Sequence, residues 1–250
     1  MRVDINSDIG EGFGPWQMGN DAEIMPAITS ANIACGFHAG DPDQMAQTIK
    51  LAKADGVGIG AHPGFHDLVG FGRYRMDVPF ETLQNQIRYQ IGALQAIATS
   101  LDAKVRHVKL HGALANMAAQ DKKLALACYE AVKSVDPTLI ILAMASSAQV
   151  EAADHLGLTW ASEIFADRAY EDDGSLRDRR EPGAVLHDPT DAAQRVLAMI
   201  KERAIITHSG KKISTPIDSI CVHGDTKDAV AMARHLRHSL LESAVDVRQF

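Results

Sequence analysis

The chain has 250 residues, 46% of them apolar and 23% charged, a balance that excludes a disordered chain and suits a sizeable core. Lysine and arginine number 25 against 32 aspartates and glutamates, and the net charge of −7 argues against a nucleic-acid binder. No run approaches the roughly 18 apolar residues of a membrane span, and residues 1–9 lack the apolar stretch of a secretory signal.

Short β-type runs alternate with helical patterns along the chain. Strands are expected at 3–6, 31–35, 57–61, 107–110, 139–142, 158–162 and 220–223. Asp41-Pro42 reads as an N-cap followed by proline at the first helical position and opens a helix at 43–54. The strongest helical face runs through 80–101, where apolar residues fall at 80, 83, 87, 91, 94, 98 and 101. Two further amphipathic helices are expected at 191–204 and 227–241. A small hairpin turning at Ser209-Gly210 spans 204–215. No linker or repeat interrupts this order, so one domain over 1–250 is expected. Strands alternating with helices imply a parallel sheet, and the length and regular spacing favour a TIM-like barrel of about seven strands over an open sheet. Cys35, Cys128 and Cys221 form no C-x-x-C pair and are expected as reduced, buried thiols of a cytoplasmic protein.

Period two within the strands carries the functional signal. Asp4, Asn6 and Asp8 share one face of the first strand; His107, Lys109 and His111 share one face of the fourth; Cys221, His223 and Asp225 share one face of the seventh. A parallel sheet covered by helices should be apolar on both faces. Three polar stripes running toward strand C-termini therefore predict a polar lumen that opens into a site. The glycine-rich run from Asp8 through Glu11 to Gly14 is neither a dinucleotide fingerprint nor a P-loop. Its carboxylates, Asp8 and Glu11, suit a base or oxygen ligands for Mg²⁺. His38 and His62 follow strands in glycine-rich turns, as does His111, and with His223 four histidines gather at strand ends. An inward lysine such as Lys109 requires an anionic partner. Arg73, Arg168 and Arg179, with Glu163 nearby in sequence to Arg168, suit an anionic substrate and a phosphate-bearing cosubstrate. Zinc is a weaker alternative, because the chain has neither H-E-x-x-H nor H-x-x-E-H.

Taken together, D-I-N-S-D-I-G-E at 4–11, S-A-N-I-A-C-G-F-H-A-G-D at 30–41, G-A-H-P at 60–63, F-G-R at 71–73, H-G-A-L at 111–114, E-I-F-A-D-R-A-Y at 163–170, P-G-A-V at 182–185 and C-V-H-G-D at 221–225 resemble the LamB/YcsF family of 5-oxoprolinase A subunits. The resemblance runs in family order over nearly the whole chain. It implies an irregular TIM-like barrel akin to deacetylase barrels, and an ATP-dependent opening of 5-oxoproline to L-glutamate with subunits B and C. The chain departs from the family's usual K-P-H-G-x-L-Y-N at Leu110 and Ala115. On this footing Asp8, His38, Lys109 and His111 are the expected catalytic residues, with Lys109 and Arg168 on phosphate. Arg73 or Arg179 would hold the substrate carboxylate, and Asn6, Glu11, His62, Glu163 and His223 would line the same mouth. ATP is expected with Mg²⁺. The rival expectation is an ATP-independent amide or acetyl hydrolase with zinc among Asp8, His38, His62 and His111; a third is a non-catalytic lactam-binding subunit.

Overall fold

Alternation along the strands sorts apolar side chains outward, under the helices, and polar ones inward. The computed structural model describes residues 1–222 and 229–250. Its strands are β1 (Arg2–Ile9), β2 (Ser30–Ala34), β3 (Gly58–His62), β4 (Val105–Val108), β5 (Ile140–Met144), β6 (Trp160–Phe165), β7 (Ala204–Ile206), β8 (Lys212–Ser214), β9 (Ser219–Cys221) and β10 (Asp246–Val247). The helices are α1 (Asp21–Ile24), α2 (Pro42–Ala54), α3 (Phe80–Ser100), α4 (Gly112–Gln120), α5 (Lys122–Val135), α6 (Ala148–His155), α7 (Pro189–Glu202) and α8 (Ala229–Glu242).

Strands β1 to β6 pair in sequence order, all parallel, and β9 pairs with both β6 and β1, which closes a seven-stranded barrel. The expected TIM-like barrel is therefore present. β10 adds a two-residue parallel pairing to the start of β1, a strand too short to leave a pattern in the sequence. The expected hairpin is the antiparallel pair β7–β8. β1 runs beyond its expected end because Asp8 and Ile9 still pair with Asn32 and Ile33. β4 starts two residues early and ends at Val108, yet Lys109 N–H donates to the Ala61 carbonyl and His111 N–H to that of Pro63. The alternation predicted for the fourth strand thus continues past its formal end.

Outward-facing Val3, Ile5, Ile33, Ala61, Val108, Ile141, Ile164 and Ile220 are buried and join one apolar core with the helices. The face predicted for α3 is the one it buries, through Leu83, Ile87, Ile91, Leu94 and Ala98, and it packs against α5. α4 and α5 left no separate signal, since one residue divides them: Asp121, whose carboxylate accepts from Lys123 N–H and Leu124 N–H. The start of the helix expected at 227 lies outside the described residues; α8 is described from Ala229. Cys35, Cys128 and Cys221 are free and buried, as expected. No described helix is long and apolar enough to cross a membrane.

Two local devices set the barrel's shape. Asp41 caps α2, accepting from Asp43, Gln44 and, across the glycine-rich loop, Gly14 N–H. Those bonds, Gln44's first, hold its carboxyl below the usual carboxylate range. Asp41→Ala is expected to cost about 1 kcal/mol at pH 7. Because the folded-state pKa is depressed, that contribution exists above the unfolded value, about 3.9, and fades below it. Urea melts of both proteins at pH 7 and pH 3 should show the difference shrink. Inside the barrel, Gly60 leaves room for the His107 ring: a Cβ there would lie 2.0 Å from His107 Nε2. Gly60→Ala must therefore push the ring off Asn32, and a loss of at least about 1–3 kcal/mol in the same melts is expected.

A cavity of about 730 Å³ opens at the N-terminal end of the barrel, bordered by Arg2, Arg106, Arg237, Arg248 and Phe250. The polar stripes lead to the other end.

Candidate functional site

The inward rows step upward from hydroxyls to charges. At the bottom, buried Asp4 accepts from Thr29 Oγ1 (2.6 Å), Ser30 Oγ (2.7 Å) and Ser219 Oγ. Burial raises its pKa, and the three hydroxyls oppose that rise. One layer up, Asn6 donates to Ser219 Oγ (2.7 Å) and accepts from Asn32 Nδ2 (2.8 Å). Asn32 also donates to Asp8 Oδ1 and meets His107 Nε2, each at 2.8 Å. Burial lowers the pKa of His107 to about 3, so its imidazole is neutral.

Above this amide layer Lys109 occupies the axis. Its Nζ lies 2.7 Å from Glu163 Oε1, 3.0 Å from Asp8 Oδ1, 3.2 Å from Asn6 Oδ1 and 3.1 Å from Cys221 Sγ. Burial favours the neutral amine, but Asp8 and Glu163 outweigh it and hold the pKa above the ordinary lysine range. The Glu163 pKa is raised too: burial raises it most, Lys109 opposes that, and Asp8 raises it again. Two carboxylates sharing one ammonium leave a group that can hold or release a proton.

The histidines form the rim of this well. His62 places Nδ1 2.8 Å from the Lys109 carbonyl and Nε2 3.3 Å from Asp8 Oδ2. His111, at the N-cap of α4, places Nε2 2.8 Å from the Phe71 carbonyl and Nδ1 2.9 Å from His62 Nε2. His38 stacks on His111 with centroids 3.6 Å apart and planes 5° from parallel. Its Nε2 is 3.6 Å from Glu11 Oε1. Burial first, then the neighbouring imidazoles, holds His38 well below the usual histidine range; burial and His62 lower His111 to about 3. The loop at Gly72 (φ +63°) covers this pair so closely that a Cβ would sit 2.7 Å from both His111 Cδ2 and His38 Cβ. Only glycine carries the chain through there.

The structure thus brings Asn6, Asp8, Glu11, His38, His62, Lys109, His111 and Glu163 into one buried cluster. Glu11, rather than Asp8, groups with the three histidines as possible metal ligands, the four ligand atoms lying within 4.8 Å of one another. Asp8 is drawn instead to Lys109. Arg168 is buried and donates to the Arg177 carbonyl at 2.6 Å; burial and then Arg179 lower its pKa to about 10. Arg179 and Arg73 are exposed, and Arg73 lies over the Phe71 ring with its guanidinium carbon 4.9 Å from the centroid. His223 and Asp225 lie outside the described residues. Of the departures, Leu110 is buried in the core and Ala115 packs against it. The sequence motifs assign no role to three further partners. Asn32 and His107 anchor the amide layer, and Gln90 on α3 brackets Gly64, accepting from its N–H and donating to its carbonyl, both at 2.9 Å. A polar residue on the apolar face of a helix was the available signal for Gln90.

The profile of the LamB/YcsF family matches residues 3–250. A curated protein of Ruegeria pomeroyi, named as the A subunit of 5-oxoprolinase, is 56% identical over 249 residues, covering 100% of this chain and 98% of that protein. Among solved structures, a lactam utilization protein from Thermus thermophilus is 41% identical, with a TM-score of 0.94 and full coverage of both chains. A polysaccharide deacetylase from Bacillus cereus, 12% identical, has a TM-score of 0.51, covers 100% of this chain and 92% of its own, and shares the fold alone.

Proposed function

This chain belongs to the LamB/YcsF family, and from that premise we propose that it is the A subunit of a cytoplasmic ATP-dependent 5-oxoprolinase, opening 5-oxoproline to L-glutamate together with subunits B and C. The observation that carries the proposal is full-length similarity, at 56% identity, to a protein named for that activity. The buried Lys109–Asp8–Glu163 group beneath the histidine rim supports a catalytic rather than a purely ligand-binding role.

An unstrained five-membered lactam is a resonance-stabilised amide and a poor electrophile. In the proposed reaction the γ-phosphoryl group of ATP passes to the lactam carbonyl oxygen, which becomes a leaving group. A first water adds to that carbon and the ring C–N bond breaks, the nitrogen taking a proton to become the amine and the carbon becoming an acyl phosphate. A second water then displaces inorganic phosphate and leaves the carboxylate of glutamate. Such a sequence needs cations for the phosphoryl oxygens, a base for water and an anchor for the substrate carboxylate. Lys109 and Arg168 are assigned to the first task and Asp8, His38 and His111 to proton transfer. Arg73 or Arg179 is assigned to the carboxylate, with Asn6, Glu11, His62, Glu163 and His223 lining the mouth.

The test is 5-oxoproline-dependent release of phosphate and glutamate, by the chain alone and with subunits B and C. Coupled release from the three-part mixture only is expected. Glutamate formed by the chain alone without ATP would overturn the ATP-dependent assignment in favour of a simple hydrolase.

A further inference from the structure

The two hydrogen bonds that orient His62 and His111 create a conflict between them. A backbone carbonyl can only accept, so His62 must carry its proton on Nδ1, facing the Lys109 carbonyl, and His111 must carry its proton on Nε2, facing that of Phe71. In the neutral imidazoles this leaves His62 Nε2 and His111 Nδ1 as bare lone pairs. They point at each other across 2.9 Å. Two acceptors at that distance repel unless a cation lies against both. His38, stacked on His111, is buried with neither ring nitrogen hydrogen-bonded among the described residues, and its Nε2 faces Glu11. Buried polar atoms without partners are rare.

We propose that Glu11, His38, His62 and His111 form a binding site for one divalent metal ion of the zinc class. The donor set, three imidazoles and one carboxylate, is of the kind that binds zinc, nickel or cobalt rather than magnesium, which prefers oxygen ligands. Metal–ligand bonds of about 2.1 Å in a tetrahedron separate ligand atoms by about 3.4 Å. The separations here fit that spacing: 2.9 Å between His62 and His111, 3.6 Å and 3.8 Å from Glu11 to His38 and His111, and none above 4.8 Å. The carbonyls of Lys109 and Phe71 are the outer-sphere acceptors that fix imidazole ligands in the right tautomer. Charge agrees in sign: Glu11 Oε1 faces His38 and His111, and Asp8 Oδ2 lies 3.3 Å from His62 Nε2, so carboxylate oxygens surround the proposed ion. A bound ion there would act as a Lewis acid toward an oxygen at the barrel mouth.

The proposal concerns binding and stands apart from the assignment of substrate and ATP. With the ion bound, His38 and His111 are its ligands and proton transfer falls to Asp8, so the roles given to those two histidines above are those of the ion-free chain. Its test uses untagged full-length protein, stripped with a chelator and titrated with Zn²⁺ by calorimetry and with Co²⁺ by visible absorption. One equivalent of either ion is expected, with the intense d–d bands of tetrahedral cobalt and a raised melting temperature. Glu11→Gln and His38→Ala should each weaken binding by more than about 100-fold, beyond the 10–100-fold produced by outer-sphere changes. His238→Ala, which alters an exposed histidine paired with Glu242, should leave binding unchanged. Glu11→Gln is nearly isosteric, so it decides the question if His38→Ala does not fold. Absence of binding at micromolar metal would overturn the proposal and assign a shared proton to the His62–His111 contact. Binding that survives Glu11→Gln, or that is lost in His238→Ala, would overturn it equally.

Discussion

Lys109→Met is expected to abolish 5-oxoproline turnover in the three-part mixture and to destabilise the chain at the same time. The ammonium lies between Glu163 and Asp8, at 2.7 Å and 3.0 Å, with its side chain 6% exposed. Removing the cation leaves two carboxylates facing each other out of bulk water, and breaking a buried pair in this way costs about 3–5 kcal/mol. The activity loss has a separate origin, the missing positive charge where phosphate or oxyanion charge develops, for which about 10²–10³-fold is the usual scale. A second substitution separates the two effects. Lys109→Met combined with Glu163→Gln removes one of the opposed charges, so melts should show much of the lost stability restored while turnover stays absent. Turnover close to wild type in either variant would remove Lys109 from the chemistry.

The second large effect is expected at His111. His111→Ala should lower turnover by about 10²–10⁴-fold, the range associated with a positioned general acid or base. Its cost to stability should be smaller. The Phe71 carbonyl loses one donor, about 0.5–1.5 kcal/mol, and His38 loses a stacked ring worth about the same. Partial rescue of turnover by added imidazole, with the fold intact by circular dichroism, would mark a chemical rather than a supporting role. Unchanged kinetics would exclude His111 from proton transfer.

Much of this molecule was legible because its signals are local. Alternation along a strand depends only on neighbours two positions apart, so the stripes of Asp4-Asn6-Asp8 and His107-Lys109-His111 could be placed inward before any pairing was known. The α3 face and the Asp41 cap are local in the same sense, and both appear where expected. Weak local signals account for the omissions. α4 and α5 meet at a single residue, and β10 is two residues long.

What local pattern cannot carry is which stripe meets which. Lys109 reaches Asn6 across 103 positions and Cys221 across 112, and only barrel closure through β1–β9 brings those strands together. Closure also decided that Asp8 serves the lysine while Glu11, three residues later and past the end of β1, turns toward the histidines. His107 needed the space left by Gly60 on the neighbouring strand, a complementarity of volume between elements about 47 residues apart in sequence. By itself the sequence determined the chemistry available, namely the inward polar residues and the strand ends that carry them. The tertiary structure decided the partnerships, because distances between strands are set by closure and packing and not by spacing along the chain.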